Sequence, residues 1–249
     1  GVEVQGPALV AGGTGGLGRE IVRALAADGS PLAFTYRSAR DVAADLEASV
    51  AGARGYALDL RDLDATAAVV AQVVEDLGGL TTLVYAAGPH VPMRHLSAVP
   101  PEQMRDQLDA DAAAFFALVH AALPALRDGG GSVVAVTTAA TTRYAVRDGL
   151  SAAPKAAVEA LARGLAAEEG RFGIRVNCVG PGMLSDGMAQ RLIASGDLDE
   201  AALEAARRNT PLRRFGTAAD VAAAVAFLAS DAAGFISGQK LDVDGGYGA

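Results

Sequence analysis

Short runs that are apolar at both parities alternate along the chain with longer stretches whose apolar residues recur at helical spacing. The short runs fall at residues 7–11, 31–36, 54–58, 81–86, 132–137, 173–179 and 239–243, and are rich in Val and Leu. A strand apolar on both sides is covered on both faces, which is the condition of a parallel sheet. Between the runs, residues 17–27, 41–50, 62–77, 101–126, 152–169 and 218–230 read as helices by apolar spacing and Ala content. Thr217 and Asp220, three residues apart, have the spacing of a capping box for the last helix. Strict strand–helix alternation with short links predicts an α/β fold: a doubly wound parallel sheet of seven strands flanked by helices. No linker, repeat or low-complexity tract interrupts it, so residues 1–249 are expected to form one domain. The one irregular insertion, residues 183–209, follows the sixth strand. Its place at a strand's carboxyl end is that of a flap over a pocket.

Composition narrows the classes. At 51% apolar and 20% charged residues the chain is not disordered. Cys178 is its single cysteine, and His90, His95 and His120 its only histidines, so an internal disulfide and a Cys/His zinc cluster are excluded. A net charge of −8 argues against nucleic acid and anionic membranes as partners. No stretch of about 18 uncharged apolar residues is present, so no membrane-spanning helix is expected. The N-terminus has no basic region ahead of its first strand, which reads as a cytoplasmic chain, with Gly1 as a tag remnant. Lys155 and Lys240 are the only lysines among 21 basic residues. With the abundance of Ala, this indicates a GC-rich bacterial coding bias.

After the first strand comes Ala11-Gly12-Gly13-Thr14-Gly15-Gly16-Leu17-Gly18, and then a helix. Glycines allow the tight turn and let the backbone approach a diphosphate, toward which the helix N-terminus presents free N–H groups. The Gly-Lys-Ser/Thr of a nucleoside triphosphate loop is missing, so the spacing points to a dinucleotide. An NAD site places an acid about 20 residues on, against the ribose 2′-hydroxyl. The second strand here ends instead in Arg37-Ser38, whose charge and hydroxyl suit a 2′-phosphate. NADP(H) is the expected cofactor.

At this point the sequence resembles the short-chain dehydrogenase/reductase family, nearly end to end. Gly12-x3-Gly16-x-Gly18 matches that family's cofactor loop, with Ala11 where Thr is usual. Asp59-Leu60 matches the adenine-contacting pair, and Tyr85-Ala86-Ala87-Gly88 stands where the family has Asn-Asn-Ala-Gly. Residues 174–177 with Pro181-Gly182 match the segment beside the nicotinamide; residues 211–216 and 243–246 match the C-terminal signatures. The resemblance implies a Rossmann-like fold and a cofactor site of Gly12, Thr14, Gly15, Gly16, Leu17, Gly18, Arg37, Ser38, Asp59, Leu60, Ala87, Gly88, Lys155, Pro181 and Gly182. It also implies a homodimer or homotetramer built on the helix holding Phe115 and Phe116 and on the Lys155 helix, with a small-molecule substrate.

The catalytic positions depart from the family's pattern. Lys155 is in place, but four residues before it, where the family has its proton-donating Tyr, stands Ser151. The family's Ser maps to Thr138 (or Thr137) and its Asn to Asp111. The resemblance gives Lys155 the nicotinamide ribose. Ser151 is too short and too weak an acid to replace a phenol, and that loss removes a factor of about 10²–10⁴ in general acid catalysis while leaving positioning intact. Substitute donors are Tyr144, in the loop that lines the family's substrate pocket, and His90 or His95 after the fourth strand. Asp111 is expected near Lys155. A Ser151–Lys155 nucleophile pair lies on one helical face, but no oxyanion hole accompanies it and a hydrolase is excluded. The expected activity is NADPH-dependent reduction of a carbonyl on a small cyclic or aromatic metabolite, in a setting such as bacterial secondary metabolism. The alternatives are an idle NADP-binding subunit and a non-redox lyase, isomerase or cyclase using the same pocket.

Overall fold

The computed structural model describes residues 4, 6–27, 29–88, 91–185, 194–196 and 199–249. Seven parallel strands form one sheet in the order β3-β2-β1-β4-β5-β6-β7. They are β1 (Ala8–Ala11), β2 (Leu32–Tyr36), β3 (Ala53–Ala57), β4 (Thr82–Tyr85), β5 (Gly131–Val136), β6 (Ile174–Pro181) and β7 (Lys240–Val243). The helices are α1 (Gly16–Leu25), α2 (Arg40–Ser49), α3 (Leu63–Leu77), α4 (Pro101–Leu108), α5 (Ala114–Arg127), α6 (Gly149–Glu169), α7 (Glu200–Arg208) and α8 (Ala218–Ala229). The strand order reverses between β1 and β4, and the crevice at the carboxyl ends of those two strands is the ligand position of such a sheet.

The two parities of each strand serve two helix layers. Val10, Phe34, Val84 and Val134 face α1, α2 and α8 in one apolar cluster. Their chain neighbours Leu9, Ala33, Leu83 and Val133 face α3, α5 and α6 in another. That is why the strand runs carry no polar alternation. Each fully buried Val or Leu contributes roughly 1.5–3 kcal/mol. The single thiol, Cys178, belongs to the second layer.

Element bounds differ from the sequence expectation by a residue or two, with two larger departures. The helix expected over 101–126 is broken by a π turn, Asp109–Ala113, between α4 and α5. Such a one-residue bulge rotates the side chains on either side of it, and it buries the carboxyl of Asp111. The helix expected from 152 starts at Gly149, because the Asp148 carbonyl accepts from the Ser151 and Ala152 N–H groups at 3.1 and 2.8 Å. Pro154 therefore lies inside α6 and leaves the Leu150 carbonyl without its helical donor. Taken together, Pro101–Arg127 is long and apolar enough by composition to cross a membrane. In this fold Phe115, Leu118, Val119, Ala122 and Leu126 are spent against the sheet. Of the 183–209 insertion, residues 186–193 and 197–198 lie outside the described residues, and α7 is its helical part.

Thr217 and Asp220 form the expected capping box, Thr217 N–H donating to Asp220 at 2.9 Å and Asp220 N–H to the Thr217 hydroxyl at 3.2 Å. Thr217→Ala is expected to cost about 1 kcal/mol and lower the melting temperature by about 2–4 °C, read by thermal unfolding.

Candidate active site

The β1–α1 loop is shaped by contacts that only glycine permits. Gly12 has φ +88°, and a Cβ there would lie 2.8 Å from the Ala87 backbone, so the loop after β1 seats directly on the loop after β4. A Cβ on Gly18 would overlap the Gly12 carbonyl oxygen, which closes the turn onto the first turn of α1. Gly12 N–H donates to the Thr35 hydroxyl at 3.1 Å. Gly15, the N-cap, has nothing within 4 Å of its Cβ position. No side chain caps α1 and no acid lies in its first turn, so its N–H groups are left facing the crevice. This cradle fits a diphosphate.

From Gly15–Gly18 a cleft of about 790 Å³ runs past Ala87, Gly88 and Lys155 to Tyr144, Asp148 and α7. Lys155 is 8% exposed. Its ammonium donates to Asp111 Oδ1 at 2.9 Å and to the Ala87 carbonyl at 3.0 Å, and lies 4.9 Å over the Tyr85 ring. The Tyr85 hydroxyl donates to the same Asp111 oxygen at 2.7 Å. Tyr85 is wholly enclosed, and burial, reinforced by the adjacent carboxylate, holds its phenol well above the ordinary range. It is therefore a structural donor and not an acid for the cleft. The π turn, β4 and α6 thus meet at one buried charge pair.

Thr138 and Ser151 both line the cleft. The Thr138 hydroxyl accepts from Ala140 N–H at 3.1 Å, whereas Thr137 is buried with its hydroxyl 3.5 Å from the Val179 carbonyl. The turn after Thr138 is tied down by the second lysine. Lys240 donates to the Thr141 and Thr142 hydroxyls at 2.6 and 2.7 Å, and Thr141 donates to Glu159 of α6 at 2.8 Å. Tyr144 is 49% exposed, and its hydroxyl lies 3.1 Å from where a Cβ on Gly149 would be. Pro181, Gly182, Met183 and Leu184 complete the wall beside α7, whose Leu203 packs with Met183 and Phe215. That is the position expected of a flap.

Other expected residues lie apart from the cleft. Arg37, Ser38, Asp59 and Leu60 sit at the β2 and β3 ends of the crevice and do not line it. Asp59 accepts two bonds from the Arg61 guanidinium at 3.1 and 2.9 Å, and Arg37 approaches to 3.8 Å. The hydrogen bonds from Arg61 bring the Asp59 carboxyl down to about 2. Gly12 and Thr14 also lie outside the lining. His95 precedes a short 3-10 turn, Leu96–Ala98, is exposed, and does not line the cleft. His90 lies outside the described residues. Sequence reasoning missed the clamp by Tyr85, whose departure from the family's Asn was the available signal. It also missed Asp148, which the late helix start had left in a loop.

The nucleotide-shaped crevice and the lysine beside it define a nicotinamide-dependent oxidoreductase of the α/β type. A family profile described as enoyl-(acyl carrier protein) reductase matches residues 11–248. L-fucose dehydrogenase of Oryctolagus cuniculus is 32% identical over 238 residues, covering 96% of this chain and 83% of that protein. Versicolorin reductase of Emericella nidulans is 31% identical over 249 residues, covering 96% and 94%. A short-chain type dehydrogenase/reductase from Mycobacterium ulcerans has a TM-score of 0.90 at 28% identity, covering 99% and 91%. The chain belongs to the short-chain dehydrogenase/reductase family, whose members bind a nicotinamide cofactor and act on small molecules.

Asp111→Ala would leave a buried ammonium facing a carbonyl and a phenol alone. It is expected to destabilise the fold by about 3–5 kcal/mol in urea unfolding. Asp111→Asn, which keeps an acceptor for both donors, should cost less.

Proposed function

We propose that this chain is an NADPH-dependent ketoreductase with an atypical proton donor, acting on the carbonyl of a small cyclic or aromatic metabolite. The observation that carries the reading is the continuous cleft joining the glycine cradle, Lys155 and a partly apolar pocket under α7. When bound, the nicotinamide supplies hydride, and the protein orients it. Gly12 and Thr14 through Gly18 would hold the diphosphate; Asp59, Leu60, Ala87 and Gly88 the adenosine and ribose side; Pro181 and Gly182 the nicotinamide. Lys155 uses two of its three N–H donors on Asp111 and Ala87, leaving one for a ribose hydroxyl. Thr138 and Ser151 are assigned to the substrate oxygen and Tyr144 to its orientation, with Asp111 fixing Lys155.

Support for NADP comes from Arg37 and Arg61, two guanidiniums around the one carboxylate Asp59, and from Ser38 at the end of β2. The relative named a versicolorin reductase supports the reductive direction and a place in secondary metabolism. A homodimer or homotetramer is supported by Phe116, a large apolar side chain left 48% exposed on α5. The ion pair that occupies Lys155 favours one second reading, a member that holds the nucleotide and does not turn it over.

Calorimetry should give NADPH binding about tenfold tighter than NADH, the size of one charge-assisted contact, with the preference lost in Arg37→Ala. NADPH should be oxidised in the presence of cyclic ketones or quinones. No heat with either nucleotide overturns the reading, and binding without oxidation across the panel leaves the idle member.

A further inference from the structure

Asp148 stands on the cleft wall with Tyr144 and Ser151, immediately before α6. Ser151 and Lys155, four residues apart, share one face of α6, and Asp148 stands at that helix's N-terminal end. An aspartate at this position ordinarily accepts from a first-turn N–H. Here it does not: the carboxyl makes no capping bond, and it has no hydrogen-bond or ion-pair partner among the described residues. The wall around it includes Val91, Met93, Ala145 and Val146. Arg147, just before it, has φ +74°, a left-handed conformation that costs a non-glycine residue about 1–3 kcal/mol and occurs where a neighbour is aimed.

Three charged groups on the neighbouring elements are engaged elsewhere. Lys155 is turned to Asp111, and Arg143 donates to the Tyr247 carbonyl at 3.0 Å. Arg94, whose segment bridges to Asp148 through the backbone, reaches Gln103 at 3.5 Å. Arg147 adjoins in the chain, and the Tyr144 hydroxyl lies against Gly149. Burial pushes the Asp148 carboxyl up to about 6. Its acid form is complete below the ordinary aspartate range and is lost as pH rises through about 6.

We propose that Asp148 is the catalytic acid of this site, handing its proton to the substrate's carbonyl oxygen; this rests on the ketoreductase reading above. A bound reduced nicotinamide would supply hydride to the carbonyl carbon, and the carbonyl π pair would move to oxygen. The Asp148 O–H bond breaks as the alcohol O–H forms. The carboxylate left behind regains its proton from solvent. Ser151, in place of a larger side chain, leaves the space through which that oxygen reaches Asp148. Tyr144, half exposed, orients the substrate.

The test uses the whole protein with NADPH and two probes, 1-tetralone and menadione. Asp148→Asn should bind NADPH in calorimetry within about threefold of wild type, being remote from the glycine loop. Its turnover should fall about 100-fold or more, and the loss of rate above pH 6 should disappear. Tyr144→Phe should lose less than about tenfold. Independently of turnover, carboxyl ¹³C NMR should show one aspartate signal, absent in Asp148→Asn, that titrates near 6. Because that folded value lies above the ordinary one, wild type should lose stability relative to Asp148→Asn as pH climbs from about 4 to about 6. Wild-type turnover in Asp148→Asn, or a signal titrating near 4, overturns the proposal while leaving the ketoreductase reading standing. A wild type that binds NADPH and reduces neither probe is decided by the NMR titration. No heat with either nucleotide overturns both.

Discussion

One buried charge pair organises this molecule's reactive face. An ammonium taken out of water costs several kcal/mol unless a counter-charge and hydrogen bonds replace its hydration. Lys155 receives both, from the carboxylate of Asp111 and the carbonyl of Ala87. Asp111 is available only because the helix between Pro101 and Arg127 takes a π turn, and its oxygen is shared with the hydroxyl of Tyr85. A break in one helix, the end of a central strand and the second turn of another helix are therefore held in one arrangement. The glycine loop rests on the same strand end, through the approach of Gly12 to Ala87. The nucleotide half of the cleft and the lysine thus share one scaffold.

The substrate half is built differently. Its walls come from the turn after β5, the start of α6 and the segment carrying α7, all of them loops or helix ends. Lys240 fastens the first of these through Thr141, Thr142 and Glu159, so Thr138 stands on a rigid turn. Gly216 N–H donates to the Met183 carbonyl at 3.1 Å and ties the chain after β6 to the segment before α8. Rigid support below with variable chain above lets one fold serve many substrates.

Much of this was legible in the sequence because local rules govern it. Apolar strands of both parities imposed a covered parallel sheet, and the glycine spacing gave the cradle. The Thr217–Asp220 cap was found because its chemistry is complete within four residues. What escaped depends on long-range contact. The π turn has no local signature in a run that reads as uninterrupted helix. The partnership of Tyr85 with Asp111 spans 26 residues of chain. The start of α6 was expected three residues too late, because its first turn carries no local cap signal, and Asp148 went unnoticed with it.

The placement of Cys178 on β6, inside the second helix layer, has a consequence of its own. Burial, with the negative field of Glu159 adding to it, pushes this thiol up to about 12. Thiolate is the species that alkylating reagents and peroxides attack, and it is essentially absent here near neutral pH. The folded chain offers such reagents almost no thiolate, which leaves the thioethers of its four methionines as the sulfur open to oxidation. The inertness of that thiol comes from the depth at which a single side chain is packed.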